Sequence, residues 1–401
     1  MIVTRVEKHL IKKSNPMWTV IDRKCYFAKN LYNEANYIIR QNFFKTGKTI
    51  KGSIIDKTLQ KTENYVSLGS QASQKTIQLL DKNWKSYFKG IKDWSKKKGK
   101  GYFGKPNLPK YKDKKNGRCV LMLKNIQCRI ENQNLIFSWK PLRDFGGIKT
   151  RATGRLMQVR FVPKGSCYYM EIVYEYEIPE ANKIIKNIVG IDLGVTNLAT
   201  IGNNIGVTPI VIKGGIVKSM NQYYNKKRSD ISQQTNMVWN NRMRLLTDKH
   251  LRKLDTYMHT VSKQIIQYCV KNSIDTIVVG LTKGWKDGIN LGHINNQNFV
   301  CIPHDKLIKQ IQYKAENAGI KCFLTEENYT SGTSFLDNEL PIEKNYNVRR
   351  RIKRGMFKSA NGISINADLN AAYQIIKKVF PEAFDSIGNR GCDLHPVKLS
   401  V

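Results

Sequence analysis

The stretch VGIDLGVTNLATI, Val189 to Ile201, sets one carboxylate, Asp192, in the middle of an apolar run that reads as a buried strand. A charge left inside a strand costs several kcal/mol unless something pairs with it. Gly194, Thr196 and Asn197 follow directly, small or polar where a plain core strand would continue apolar. Any fold this chain adopts must therefore put the strand beside a group that neutralises Asp192.

Composition narrows what that surrounding is. At 401 residues, 41% of them hydrophobic, the chain has enough material for two or three domains with one sizeable core, and is no disordered tail. Its 68 Lys and Arg against 31 Asp and Glu give a formal net charge of +37. Self-repulsion on that scale weakens a compact state unless a polyanion answers it. The basic residues are spread along the chain, which points to a broad nucleic-acid-binding surface. The cysteines at 25, 119, 128, 167, 269, 301, 322 and 392 contain no CxxC pair. They read as reduced thiols, neither a disulfide framework nor a zinc ribbon, so no structural zinc is expected. The start, MIVTRVEKHLIKK, lacks the apolar segment of a signal peptide, and no run approaches the ~18 apolar residues that span a membrane. The expectation is an intracellular protein with no membrane partner.

Periodicity orders the rest. Residues 2 to 12 alternate as a short strand. From Pro16, the residues Trp18, Ile21, Cys25, Ala28, Tyr32, Ala35 and Ile39 share one helical face, and Ile77, Leu80, Trp84 and Phe88 share another. The segment Ser95 to Arg118, rich in Lys, Gly and Pro, reads as a charged connector. Its aromatics among lysines can stack on bases while the lysines meet phosphates, which marks Lys105, Lys110 and Tyr111 as nucleic-acid contacts. Residues 119 to 178 read as strands of a small antiparallel sheet or barrel, with Met170, Ile172, Tyr174 and Tyr176 on one face. If the first strand joins it, the helical module is an insertion within that unit. Beyond Ile188 strands alternate with helices, namely a long polar helical region over 218–272, a buried strand over 274–280, a helix over 304–318, a strand over 320–328 and a helix over 366–380. This order indicates an α/β sheet.

Two further acidic stretches complete the pattern. In INADLNAAYQIIKKV, Asp368 opens a helix, a position that alone reads as a cap or dipole partner. In LTEENYTS, Glu326 and Glu327 end an apolar strand. An Asp on the first strand, a Glu at the end of a later parallel strand and an Asp on the final helix make up an RNase H-like arrangement. Carboxylates suit Mg²⁺, and two such ions can serve phosphodiester hydrolysis. Mn²⁺ is expected to substitute for Mg²⁺. On this reading the metals neutralise Asp192, and Gly194 with its small neighbours leaves room for a phosphate backbone.

GIDLGVTNLAT, YTS and NADLNAA resemble the RuvC motifs of TnpB (OrfB), transposon-encoded RNA-guided nucleases related to type V CRISPR effectors. KNLYNEANYIIRQNFF, KPNLPKYK and YKAENAGIKCFLTEENYTS are also similar to that family, so the resemblance covers nearly the whole chain. It implies a wedge-type barrel with an inserted helical recognition module, then a RuvC nuclease domain. The implied division is the first wedge strand at 1–15, the helical module at 16–104, the wedge remainder at 105–185, RuvC at 186–383 and a tail at 384–401. The implied partners are a guide RNA from the transposon end and double-stranded DNA carrying a short flanking motif, met in a prokaryotic cytoplasm. The implied catalytic and metal residues are Asp192, Asp368 and a glutamate.

Two features depart from the family pattern. Where it has a Glu ending the fourth strand, this chain has Gly280, in IVVGLTKGWK. A sheet neighbour lies ~4.8 Å away, so a Glu from the next strand can reach across a residue with no side chain. Glu326 and Glu327 point to opposite faces of an extended segment, and only one can aim at the cluster. Glu327 is favoured because it lies farther toward the strand's carboxyl end, with Glu326 second. The consecutive Cys322, Phe323 and Leu324 read as a strand covered on both faces. The second departure is an insert over 329–365 in place of a zinc ribbon, carrying Arg350, Arg351 and Arg354, read as holding nucleic-acid backbone. Two other readings stay open: an inactive RNA-guided repressor, and a conventional strand-joining transposase, for which no separate DNA-binding motif is visible.

Overall fold

A computed structural model describes residues 1–102, 104–180, 184–281, 302–353, 355–385, 388 and 392–401. The chain divides into two compact units, Ile2–Glu177 and Met1 with Ile178–Val401. The break falls at Ile178, eight residues before the boundary expected at 186.

The first unit opens with β1 (Ile2–Ile11), followed by the helices α1 (Trp18–Thr46), α2 (Gly52–Leu59), α3 (Glu63–Leu68) and α4 (Ser70–Lys96). Strands β2 (Leu121–Lys124), β3 (Cys128–Glu131) and β4 (Asn134–Phe137) come next, then α5 (Lys140–Arg143), β5 (Ile148–Lys149), β6 (Leu156–Lys164) and β7 (Cys167–Glu177). Strand β1 pairs antiparallel with β7 along its length, in a four-stranded sheet of order β1-β7-β6-β2, and β3-β4-β5 form a second sheet. Four helices thus lie, in chain order, between two strands of one sheet. Among the described residues the pairing forms two sheets and no closed ring. The face of α1 is buried at Ile21, Cys25, Ala28, Tyr32, Ala35 and Ile39. On α4, Ile77, Leu80 and Trp84 are buried, but Phe88 sits at an exposed rim against Phe43, Trp84 and Tyr87.

The Lys-rich connector is anchored along α1. Asn36 Nδ2 donates to the Pro109 carbonyl at 2.9 Å, and Asn33 exchanges two hydrogen bonds with the Lys112 backbone. Lys29 Nζ donates to the Lys114 carbonyl at 2.7 Å. The backbone polar groups of a segment without helix or strand are met by helix side chains, which is what holds it in one place.

The second unit contains β8 (Ile188–Leu193), β9 (Asn197–Asn203), β10 (Ile210–Lys213), α6 (Gly215–Thr235), α7 (Asn241–Lys271) and β11 (Thr276–Leu281). It continues with α8 (His304–Asn317), β12 (Lys321–Glu326), β13 (Met356–Lys358), β14 (Ser364–Asn366), α9 (Ala367–Val379) and β15 (Val397–Lys398). The sheet order is β12-β11-β8-β9-β10-β15. Strands β8, β9 and β10 are antiparallel neighbours, while β11 and β12 run parallel to β8. Within the unit the first five strands therefore lie in the order fifth, fourth, first, second, third, the topology of an RNase H-like sheet.

Alternation along the strands sorts two cores. Val189, Ile191, Ile277 and Val279 face α7 and α8, whereas Ile188 and Val278 face α9. Gly190 pairs with Gly202, and both lie on the α9 side. A Cβ on Gly190 would stand 2.8 Å from Ile376 Cγ1, and one on Gly202 2.8 Å from the Tyr373 ring. These two glycines let α9 lie directly on β8 and β9.

Several expectations change here. The run Val189–Ile201 is a hairpin of two strands turned at residues 194–196, not one strand, so Asp192 sits near a strand end. Gly194 belongs to that turn, and its N–H is bonded back toward Leu198 at 3.4 Å. The region 218–272 is two helices, because Asn236 adopts φ 47° and Asn240 caps α7 by accepting from the Met243 N–H. Leu251, which helical spacing groups with Leu254, Met258, Val261, Ile265 and Cys269, is 56% exposed, off the buried face of α7. Strand β12 is the sheet edge, and its Phe323 and Leu324 are exposed, so it is not covered on both faces. Described residues of the expected tail pack on the unit: Phe384 and Cys392 enter the α9 core and β15 pairs with β10.

Candidate functional site

The three carboxylates come from three elements that the sheet brings together. Asp192 lies on β8, two residues after Gly190, and so shares its face with α9. Asp368 lies in the first turn of α9, but the cap there is Asn366, whose side chain accepts from the Asp368 and Leu369 N–H groups. Asp368 is therefore not used as a cap. Glu327 follows β12 and reaches over β11. A Cβ on Gly280 would stand 2.6 Å from Glu327 Cγ, nearer still to Oε1, and 2.7 Å from Ile375 Cδ1. The space of a side chain at Gly280 is filled by this glutamate. Glu327 is half-buried, whereas Glu326 is exposed.

The electrostatics follow from the crowding. Burial, then the charges of Glu327 and Asp368, push Asp192 well above the usual carboxylate range, and Arg351 opposes them. Arg351 Nη2 lies 3.7 Å from Asp368 Oδ1. Asn197 Nδ2 donates to Asp368 Oδ2 at 2.6 Å, and Lys213 Nζ donates to Asn197 Oδ1 at 2.9 Å. His304 Nε2 is 3.1 Å from the Gly194 carbonyl, and with Asp305 and Glu327 it lines a crevice floored by Gly280.

Oxygen-only ligands carrying like charges suit a hard divalent cation. Among the described residues, however, no three His, Cys, Asp or Glu side chains are placed around a single metal ion. The donor chemistry of the carboxylates fits a hard cation.

The basic residues separate into different surroundings. Arg350 Nη1 is 2.7 Å from Glu339 Oε1 and 3.7 Å from Asp337 Oδ2, so its charge is answered within the protein rather than presented to a ligand. Arg351 faces the acids, and Arg354 lies outside the described residues. Lys105, Lys110 and Tyr111 are exposed, with Lys105 over the Trp94 ring and Arg40 over the Tyr111 ring. Sequence reasoning missed Asn197 as a partner of Asp368, as well as Lys213 and His304. Asn197 stood in the quoted stretch, but only the hairpin turn and the seat of α9 bring it to Asp368.

Two family models match this unit and the strand before it. Residues 171–286 match the OrfB model described as a probable transposase, and residues 304–375 match the Cas12f1-like TNB domain. A TnpB-like protein of Acidianus two-tailed virus is 25% identical over 88% of this chain and 81% of its own length. The chain is thus similar to the TnpB (OrfB) family over most of its length. The CRISPR-associated endodeoxyribonuclease Cas12f1 of Sulfoacidibacillus thermotolerans is 26% identical over 54% of this chain and 52% of its own. A Cas12f1 chain solved in complex with guide RNA and target DNA superposes over 90% of this chain and 82% of that one, with TM-score 0.53 and 15% identity. That likeness establishes a shared fold. No helix among the described residues is long and apolar enough to cross a membrane.

Proposed function

We propose that the chain is an RNA-guided endonuclease that cuts double-stranded DNA beside a short flanking motif, encoded by a transposon and dependent on two Mg²⁺ ions. The observation that carries the reading is Glu327 filling the space above Gly280, next to Asp192 and Asp368. A family pattern that lacks its usual glutamate is completed from the neighbouring strand. Divalent cations, when bound among these carboxylates, supply the Lewis acidity that phosphodiester hydrolysis requires. Asp192, Glu327 and Asp368 hold them, Asn197 orients Asp368, and Arg351 is placed to meet a phosphate near the acids. The first unit serves as wedge and helical recognition module, with Lys105, Lys110 and Tyr111 on nucleic acid. The net charge of +37 and the kinship with an endodeoxyribonuclease support RNA and DNA as partners.

One observation favours the inactive, guided-repressor reading: no three acids are placed around one metal among the described residues. The deciding experiment purifies the chain from cells carrying the flanking transposon DNA, sequences the bound RNA, and assays cleavage of a matched plasmid. Guide-dependent cutting with Mg²⁺ or Mn²⁺ that chelator stops is the expected result. Guided binding without cutting under either metal assigns the repressor role instead.

A further inference from the structure

Helices α6 and α7 form a hairpin that stands clear of the core. Between residues 222 and 253 only Met243 is buried, and α7 next meets the core at Leu254. The 13 steps from Asn241 to Leu254 span about 20 Å at 1.5 Å each. The arms are joined to each other: the Tyr224 and His250 rings stack at 4.3 Å, and the Tyr224 and Thr247 hydroxyls meet at 3.0 Å.

At the tip, Met237, Val238 and Trp239 are 55%, 82% and 55% exposed. The backbone around them is fixed. Ser232 Oγ donates to the Met237 carbonyl at 3.1 Å, Asn240 Nδ2 donates to Thr235 Oγ1, and Asn240 Oδ1 accepts from the Met243 N–H. Three consecutive apolar side chains are thus held out to solvent by polar neighbours, which is unusual for a surface without a partner. The surroundings say which partner. From Lys226 to Lys253 the arms carry eight Lys or Arg and only Asp230 and Asp248 as acids. An apolar protein groove has no use for that charge, whereas a polyanion does. A single aromatic face flanked by Val238 and Met237 suits a base that is already unpaired, since opening a pair would cost a few kcal/mol.

From this geometry we infer that the hairpin is a single-strand contact: its arms track phosphates and Trp239 stacks on an unpaired base. The inference rests on the nucleic-acid-binding reading of the chain, and concerns residues remote from the acids.

The test measures binding of the full chain to a 20-nucleotide DNA strand bearing one 2-aminopurine, across a salt series. Trp239→Ala should weaken binding roughly ten-fold at each salt and leave the slope of log affinity against log salt unchanged, because stacking displaces no counterions. Trp239→Phe should bind nearly as the unaltered chain, and 2-aminopurine quenching should be lost only in the alanine variant. Lys226→Gln, Lys227→Gln and Arg242→Gln together should lower the slope by roughly two. Equal binding by Trp239→Ala and the unaltered chain overturns this inference alone. A changed melting temperature or oligomeric state in nucleic-acid-free Trp239→Ala also overturns it, because the tip then packs on protein. No binding by the unaltered chain overturns the nucleic-acid reading itself.

Discussion

Glu327 occupies the volume that a side chain on Gly280 would need: a Cβ there would stand 2.6 Å from Glu327 Cγ. Strands β11 and β12 are parallel, with Gly280 opposite Thr325, and Glu327 lies two residues farther toward the carboxyl end. The absence of a side chain at Gly280 and the seat of Glu327 are two halves of one packing arrangement.

On the proposed function, that arrangement makes Gly280 a residue on which cleavage should depend, although it bears no functional group. Gly280→Ala should displace the Glu327 carboxylate and lower the guided cleavage rate at least ten-fold, with a stability loss of about 1–3 kcal/mol from overpacking. Glu327→Gln should lose cleavage as fully as Asp192→Ala, and Glu326→Gln should be much milder. Plasmid cleavage beside a target-binding assay checks all four. Full activity in Glu327→Gln would remove the glutamate assignment.

Asp192 gives a pH signature in metal-free protein. Its carboxyl is raised by burial and by Glu327 and Asp368, so the folded state holds that proton more tightly than the unfolded one. Stability from this source is full below the ordinary carboxylate pKa and declines as pH rises through the raised value. Thermal melting in chelator should therefore fall, as pH rises above the ordinary carboxylate range, more steeply for the unaltered chain than for Asp192→Asn. Mg²⁺ should raise the melting temperature of the unaltered chain near neutral pH and do so far less in the variant. Parallel pH profiles would show that Asp192 is not under this strain.

Asn197 is a positioning residue for Asp368. Removing its amide frees Asp368 Oδ2, and loss of such an outer partner costs roughly 10–100-fold in metal affinity or activity. Asn197→Ala should raise the Mg²⁺ concentration needed for half-maximal cleavage, with target binding unchanged. Lys213→Ala, one hydrogen bond farther out, should have a smaller effect of the same kind. A metal titration of the cleavage rate reads both.

The neighbouring arginines should separate cleanly. Arg350 is mostly buried and paired with Glu339 and Asp337, so Arg350→Ala leaves acids unpaired and should cost about 1–3 kcal/mol in urea unfolding. Arg351 is more exposed and near Asp368, so Arg351→Ala should leave unfolding nearly unchanged and slow cleavage. Equal unfolding curves for the two variants would contradict their different surroundings.

The sequence by itself determined most element types and singled out the acids that the fold brings together. Helical spacing on α1 placed Ile21, Cys25, Ala28, Tyr32, Ala35 and Ile39 inside, and they are inside. These patterns are legible because burial repeats with the local period of the backbone. The conflict between Asp192 and its apolar neighbours marked a site for the same reason, as a local contradiction. What lay beyond the sequence depended on partners distant along the chain. The hairpin at 194–196 and the glycine pair 190 and 202 set how closely α9 lies on the sheet. That closeness brings Asn197 to Asp368, residues 171 apart in sequence. Likewise, no periodicity distinguishes Arg350 from Arg351, which differ only in the acids that the fold sets against each. Exposed Phe323 and Leu324 on β12 read as buried because an edge strand and a central strand can share one apolar run. Sheet order decides between them, and sheet order is a property of the assembled chain.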